Sequence, residues 1–204
     1  MFRPLDLMEK NKVNDLSLTF RRLLVHCWKT INIEREYGTT RLYLLAIILF
    51  VLVFCFSYIA FSFNYTGRHI DRYLWLLFLV LPLIYPVHKF LHYIALFQYK
   101  KSLVFRFKIQ YHFVPIIRMR LQSGIPKWSY VFALVTPFLV LNTVFIFGGF
   151  LVPGYAHYFS ALLAYHCSIC LMDFLYVKNL KSAPNNAIIE ETPRGYEILV
   201  PLDF

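Results

Sequence analysis

The chain has 204 residues, of which 59% are hydrophobic, 19% aromatic and only 16% charged, and its mean hydropathy is +0.55. This composition is more apolar than that of a soluble globular domain and favours a membrane protein. The formal net charge of +10 would also suit a nucleic-acid-binding protein, but the basic residues flank long apolar runs and form no separate domain, so we expect no nucleic-acid partner.

The first segment, residues 1–41, precedes the apolar runs and is rich in Lys and Arg. Within it, Asn14 and Asp15 stand before an amphipathic stretch at residues 16–28 that has apolar side chains on one side. This pattern predicts an interfacial helix that lies flat on the inner leaflet. A disordered segment, or a start site placed too far upstream, is the alternative.

Four apolar runs follow, and each is long enough to cross a hydrocarbon core of about 30 Å. Pro137, Asn142 and the pair Gly148-Gly149 lie inside the third run, where they indicate a helix break or close helix packing. We therefore predict an all-α membrane protein with a four-helix transmembrane domain at residues 42–177. The predicted spans are residues 42–63, 73–99, 129–152 and 158–177.

The distribution of Lys and Arg predicts the orientation of these spans. Basic residues are frequent before the first span, between the second and third, and after the fourth, whereas the other two loops hold only Arg68 and Arg72. The positive-inside rule then places both termini in the cytosol. We predict a multi-pass protein of the cell membrane whose partner is the lipid bilayer, with a cytosolic tail at residues 178–204.

In the cytosolic loop between the second and third spans, the spacing of apolar residues changes to a strict alternation. Apolar residues alternate with basic or polar ones at residues 104–121, which predicts a short β-hairpin at the membrane surface. One face of its first strand carries Phe105, Phe107, Ile109 and Tyr111. This face could bind an extended peptide by strand addition; a ribbon that packs under the bundle is the alternative. The tail adds two strand-like pieces at residues 188–200, too short for a core of their own.

Two histidines one helical turn apart, His88 and His92, lie in the string HKFLH of the second span. The spacing puts both imidazoles on one helix face, as metal binding requires. His166 and Asp173 lie seven residues apart on nearly one face of the fourth span, which runs in the same direction. At about 1.5 Å per residue, all four side chains fall in the cytosolic half of the membrane.

Ionisable side chains inside a membrane are costly and usually face a partner or a cavity. Two histidines and an aspartate would supply three ligands for Zn²⁺, and His166 is a further candidate ligand. Two simpler interpretations stay open. The histidines could form hydrogen bonds to neighbouring helices, or Lys89 could pair with Asp173 in a buried ion pair.

These residues, with the basic alternating loop and a tail that runs from Ala187-Ile188-Ile189 to Gly195-Tyr196-Glu197-Ile198, resemble a bacterial family of membrane proteins described as zincin-type peptidases. That family is loosely similar to site-two intramembrane proteases. The resemblance covers roughly residues 27–200. It implies that His88, His92 and Asp173 are metal ligands, and that the protein lies in a bacterial cell membrane.

The sequence departs from the family at Lys89, where the usual HExxH motif has glutamate. In a zincin, that carboxylate takes a proton from the zinc-bound water and passes it to the leaving amine. A charged lysine cannot do so. We therefore predict a catalytically degenerate zincin, a pseudoenzyme that acts by binding a membrane-protein or peptide partner.

Two alternatives remain from the sequence. The first is an active intramembrane zinc metalloprotease whose base is supplied elsewhere, with Lys89 neutralised by burial or with Glu190 or Glu191 of the tail in that role. The second is a small channel or transporter subunit, although the four spans show no inverted repeat.

Overall fold

A computed structural model of the protein describes residues 25–63, 67, 69–110, 114–121, 123–192 and 195–201. The described chain begins with strand β1 (Val25–Ile31) and the short helix α1 (Ile33–Tyr37). Four long helices then dominate the fold: α2 (Thr39–Ser62), α3 (Leu74–Ala95), α4 (Lys127–Leu151) and α5 (Ala156–Leu180).

These four helices confirm the four predicted spans, because each is long and apolar enough to cross a membrane. Helix α2 carries large apolar side chains that are exposed around most of its circumference, among them Ile47, Val51 and Phe56. A soluble monomer rarely exposes so continuous an apolar surface. The exposed surface of α2 is consistent with contact with the acyl chains of a bilayer.

The Gly148-Gly149 pair serves helix packing, since α4 continues through both residues to Leu151. A Cβ atom on Gly148 would overlap the ring of Phe159 on α5, and one on Gly149 would overlap the ring of Phe61 on α2. Small residues at such positions let membrane helices approach closely. Of the two predicted roles for this pair, close packing is the one that the structure confirms.

The hairpin predicted between the second and third spans is present as β2 (Leu103–Gln110) and β3 (Val114–Leu121). The strands pair antiparallel, with Leu103 opposite Leu121 and Gln110 opposite Val114. Three of the four residues predicted to bind a peptide belong to β2. The fourth, Tyr111, lies outside the described residues.

The two strand-like pieces of the tail are also present, as β5 (Ile188–Thr192) and β6 (Gly195–Pro201). Together with β1 and the short β4 (Ile125–Pro126) they form an antiparallel sheet in the order β1-β6-β5-β4. The sheet corrects one expectation. Residues 25–28, the end of the predicted interfacial helix, are part of β1, because Val25, His26 and Cys27 pair with β6 and Trp28 lies at a bulge in that pairing; the rest of that helix lies outside the described residues.

The sheet and one end of the helix bundle share a hydrophobic core. Its buried residues include Ile31, Ile125, Ile189 and Ile198 from the four strands, together with side chains from α3, α4 and α5. The tail, although too short to form a core alone, therefore packs on the bundle. The sheet, the hairpin and the loops that connect them lie at this same end.

Tyr196 anchors β6 in this shared core. Its side chain is completely buried, and its hydroxyl donates a hydrogen bond to the carbonyl oxygen of Tyr176 on α5 at 3.0 Å. Burial raises the pKa of the Tyr196 phenol well above its ordinary value. The folded state therefore holds this hydroxyl in its protonated form.

Candidate metal centre

Three donor atoms converge between α3 and α5. His88 Nε2 lies 3.0 Å from His92 Nε2, and Asp173 Oδ2 lies 3.1 Å from His88 Nε2 and 3.6 Å from His92 Nε2. All three residues are buried, with at most 7% of each exposed. The structure thus brings together the three residues that the sequence predicts as metal ligands.

The orientation of the His92 ring follows from a proline in the neighbouring helix. Pro137 of α4 has no N–H, so the carbonyl oxygen of Ala133, four residues earlier, loses its helical partner. His92 Nδ1 lies 2.8 Å from that oxygen and donates to it. This bond places the proton of a neutral imidazole on Nδ1 and leaves a lone pair on Nε2.

The His88 ring is oriented by a chain of two hydrogen bonds that ends at Asn142. The Asn142 side-chain nitrogen donates to Cys167 Sγ at 3.4 Å, so its oxygen faces His166. His166 Nδ1 donates to that oxygen at 2.6 Å, which leaves a lone pair on His166 Nε2. His88 Nδ1 lies 3.2 Å from this atom and donates to it. His88 Nε2 therefore also presents a lone pair to the group.

This arrangement fits a divalent metal ion better than a hydrogen-bonded cluster. With both rings in these tautomers, no proton lies among the two Nε2 atoms and the carboxylate, and no donor is directed at the buried Asp173 Oδ2. Tetrahedral Zn²⁺ with bonds of about 2.0–2.2 Å holds its nitrogen and oxygen ligands roughly 3.3–3.5 Å apart. The three separations in the structure, 3.0, 3.1 and 3.6 Å, lie on both sides of that range. Histidine ligands of zinc usually donate their other N–H group as His88 and His92 do here.

Lys89 lies outside this group of donor atoms. It follows His88 on α3, where the helix turns its side chain to a different face, and its Nζ lies 6.0 Å from the ring centroid of Tyr85 one turn earlier. In the described part of the chain, the ion-pair contacts of Asp173 are with the two histidines and not with Lys89. The structure therefore gives no support to a buried Lys89–Asp173 pair.

Neither of the two tail carboxylates belongs to the group either. Glu191 lies on β5, where it accepts a hydrogen bond from the Tyr130 hydroxyl at 3.0 Å. Glu190 is its neighbour on the same strand, so its side chain points to the opposite face of the sheet. Asp173 is the carboxylate that joins the histidines.

The sequence interpretation missed three contributors to the site. Cys170 Sγ lies 3.5 Å from His166 Nε2, and the Ala133 carbonyl and the Asn142 amide hold the two rings. Two signals were available in the sequence. His166, Cys170 and Asp173 follow an i, i+4, i+7 pattern on one helix face, and a proline inside an apolar helix frees a carbonyl for another donor.

The site lies within a region that matches a known family. A family model with the description "Putative zincin peptidase" matches residues 81–188, just over half of the chain. The matched region begins in α3 and ends at β5, so it contains every residue of the group. No curated protein and no solved structure matches the chain.

Proposed function

Because the chain belongs to the putative zincin peptidase family, we propose that it is a membrane-embedded zincin that keeps the metal-binding residues but has lost peptidase activity. The observation that carries this proposal is the convergence of His88 Nε2, His92 Nε2 and Asp173 Oδ2 beside a lysine in the position of the glutamate. In this proposal the protein acts by binding a membrane-protein or peptide partner.

The three ligands would hold a zinc ion, which when bound acts as a Lewis acid that polarises a carbonyl group or a water molecule. The contribution of the protein is to fix the ligands. Ala133 and the His166–Asn142 chain keep the proton of each histidine on Nδ1, and Asp173 supplies a negative charge. A pair of neutral imidazoles and one carboxylate gives the site a charge of −1, which favours a divalent cation.

The proposed loss of activity follows from the lack of a carboxylate that could transfer the proton. A zincin needs a carboxylate that removes a proton from water and returns it to the leaving amine. Lys89 offers an amine in place of a carboxylate, with its Nζ 6.0 Å from the ring centroid of Tyr85, and in this proposal Asp173 is a metal ligand. Glu191 is held by Tyr130 on the sheet. The described residues thus place no free carboxylate beside the donor group.

A binding function would use the β2–β3 hairpin, whose two strands pair only with each other among the described residues. The edge of β2 away from β3 has no strand partner among the described residues, so an extended peptide could form backbone hydrogen bonds there. In this proposal the alternating apolar residues of the loop sequence, Phe105, Phe107, Ile109 and Tyr111, would bind alternate side chains of the peptide. A partner anchored in the same membrane would reach this surface directly.

The proposed orientation places the sheet and the hairpin in the cytosol of a bacterial cell, since the basic loops lie at that end. Cys27 provides a test, because it is an exposed cysteine on β1. A membrane-impermeant maleimide should label Cys27 in inverted vesicles and not in intact cells. Labelling in intact cells, absent from a Cys27→Ser variant, would reverse the orientation.

Zinc binding is tested by competition with a chromogenic chelator in detergent-purified protein. The wild type should bind zinc, and His92→Asn and Asp173→Asn should weaken binding by at least about tenfold, since each removes a ligand. His26→Asn is the matched control, because His26 is exposed on β1; its affinity should stay at the wild-type value. Equal affinity in all four proteins would show that the group is not the zinc site.

The Lys89→Glu variant tests why activity is absent. Metal analysis should find zinc in the wild type and in this variant alike, because Lys89 does not occupy the group. Zinc in the variant alone would mean that the lysine displaces the ion. Cleavage of a membrane-anchored peptide by the purified wild type, abolished by Lys89→Ala, would show that the protein is an active protease and contradict the proposal.

A further inference from the structure

A second set of donor atoms lies next to the first, and its cysteine has no role in the proposed zincin site. It consists of His88 Nδ1, His166 Nε2 and Cys170 Sγ. The two nitrogens are 3.2 Å apart, and Cys170 Sγ lies 3.5 Å from His166 Nε2 and 3.9 Å from His88 Nδ1. All three residues are at most 1% exposed.

We propose that His88, His166 and Cys170 form a second metal site, selective for thiophilic ions, that shares His88 with the first site. The three separations support this assignment. In a tetrahedral site with metal–sulfur bonds of about 2.3 Å and metal–nitrogen bonds of about 2.0–2.1 Å, nitrogen and sulfur ligands lie roughly 3.5 Å apart and two nitrogens roughly 3.3 Å apart.

The thiolate ligand sets the class of ion. Two imidazoles and a thiolate suit Zn²⁺, Co²⁺, Cd²⁺ or Cu⁺, whereas the carboxylate of the first site suits harder cations as well. Binding replaces the thiol proton of Cys170, which leaves to solvent. His166 Nε2 already presents a lone pair, because its Nδ1 proton is donated to Asn142.

The two sites compete for His88. The first site needs a lone pair on His88 Nε2, so its ring proton must be on Nδ1. The second site needs the lone pair on Nδ1, and the proton then moves to Nε2, where the Asp173 carboxylate accepts it across 3.1 Å. A neutral His88 ring therefore completes one site at a time, and its tautomer selects which site is complete.

Cobalt absorption spectra distinguish the two sites without any activity measurement. Co²⁺ bound through Cys170 gives a thiolate charge-transfer band in the near ultraviolet, whereas Co²⁺ held by His88, His92 and Asp173 gives only the weaker visible bands. We expect the charge-transfer band in the His92→Asn variant, in which the first site is weakened and the Asp173 carboxylate is kept, at an intensity equal to or above that of the wild type.

Two cysteine variants identify the ligand. Cys170→Ser should abolish the charge-transfer band while the visible bands of the first site persist. Cys55→Ser is the control, because Cys55 is exposed on α2 and outside the group; it should keep the band. Size-exclusion elution at the wild-type position shows that each variant is folded.

The proposal is overturned if neither the wild type nor His92→Asn shows the band, or if the band survives in Cys170→Ser. A band that is lost in Cys55→Ser would likewise assign it to an adventitious thiol. These outcomes are independent of the proposed zincin site, which the chelator competition tests separately.

Discussion

Replacement of Asn142 by leucine tests whether proton placement in the hydrogen-bond chain controls metal binding. Leucine is similar in size but cannot accept the His166 Nδ1 proton that Asn142 accepts at 2.6 Å. His166 is completely buried, so this donor would be left without a partner, at a cost of about 1–3 kcal/mol. The ring can avoid that cost if its proton moves to Nε2.

That tautomer would direct two N–H groups at each other, from His88 and His166. His88 would then carry its proton on Nε2, which faces the metal ligands. The cost therefore appears in metal binding, and we expect zinc affinity to fall by about 10- to 100-fold, equivalent to roughly 1.4–2.8 kcal/mol. The measurement is competition for zinc with a chromogenic chelator.

Two further variants make this test specific. Asn142→Asp keeps an acceptor oxygen and should retain most of the zinc affinity. Ser160→Ala removes a buried hydroxyl that bonds the Ala156 carbonyl within α5, and zinc affinity should not change. If Asn142→Leu folds and binds zinc as tightly as the wild type, or if Asn142→Asp binds as weakly as Asn142→Leu, the hydrogen-bond chain does not control the site.

Three other predictions concern the helix contacts and the sheet. Gly149→Val should lower stability by about 1–3 kcal/mol in thermal denaturation, because the new side chain overlaps the ring of Phe61, and Phe61→Leu should recover part of the loss. Pro137→Ala restores a helical N–H that competes with His92 for the Ala133 carbonyl oxygen, so zinc affinity should fall while the helix gains stability. Unchanged zinc affinity would contradict the proposed role of Pro137. The raised pKa of Tyr196 predicts a contribution to stability that is complete below a pH of about 10 and is lost as the pH rises further. The reason is that the phenol of the unfolded chain ionises above that pH while the phenol of the folded protein stays protonated. A Tyr196→Phe variant should therefore lose less stability at alkaline pH than the wild type.

Much of the fold follows from local sequence patterns. Long uncharged apolar runs form helices in a membrane because the backbone must satisfy its own hydrogen bonds there, and the structure has four helices long and apolar enough to span one. The alternation at residues 104–121 predicted the hairpin because a strand places successive side chains on opposite faces.

Patterns of this local kind did not predict the partner of the N-terminal segment. Residues 25–28 have the apolar spacing of a helix, yet they form a strand because β6 offers a sheet edge from the far end of the chain. Backbone pairing over such a distance in sequence leaves no trace in the periodicity of either segment.

The same distinction between local sequence pattern and tertiary structure applies to the candidate metal centre. The sequence by itself indicated the candidate ligands, because His88 and His92 at i, i+4 and Asp173 are ionisable side chains inside predicted spans, where such side chains are costly and usually face a partner or a cavity. Only the tertiary structure decided how the helices rotate against each other. That rotation directs His166 and Cys170 at His88 Nδ1, and it brings the carbonyl freed by Pro137 to His92. The proton positions, on which the proposed metal binding depends, follow from contacts between helices that no single helix encodes.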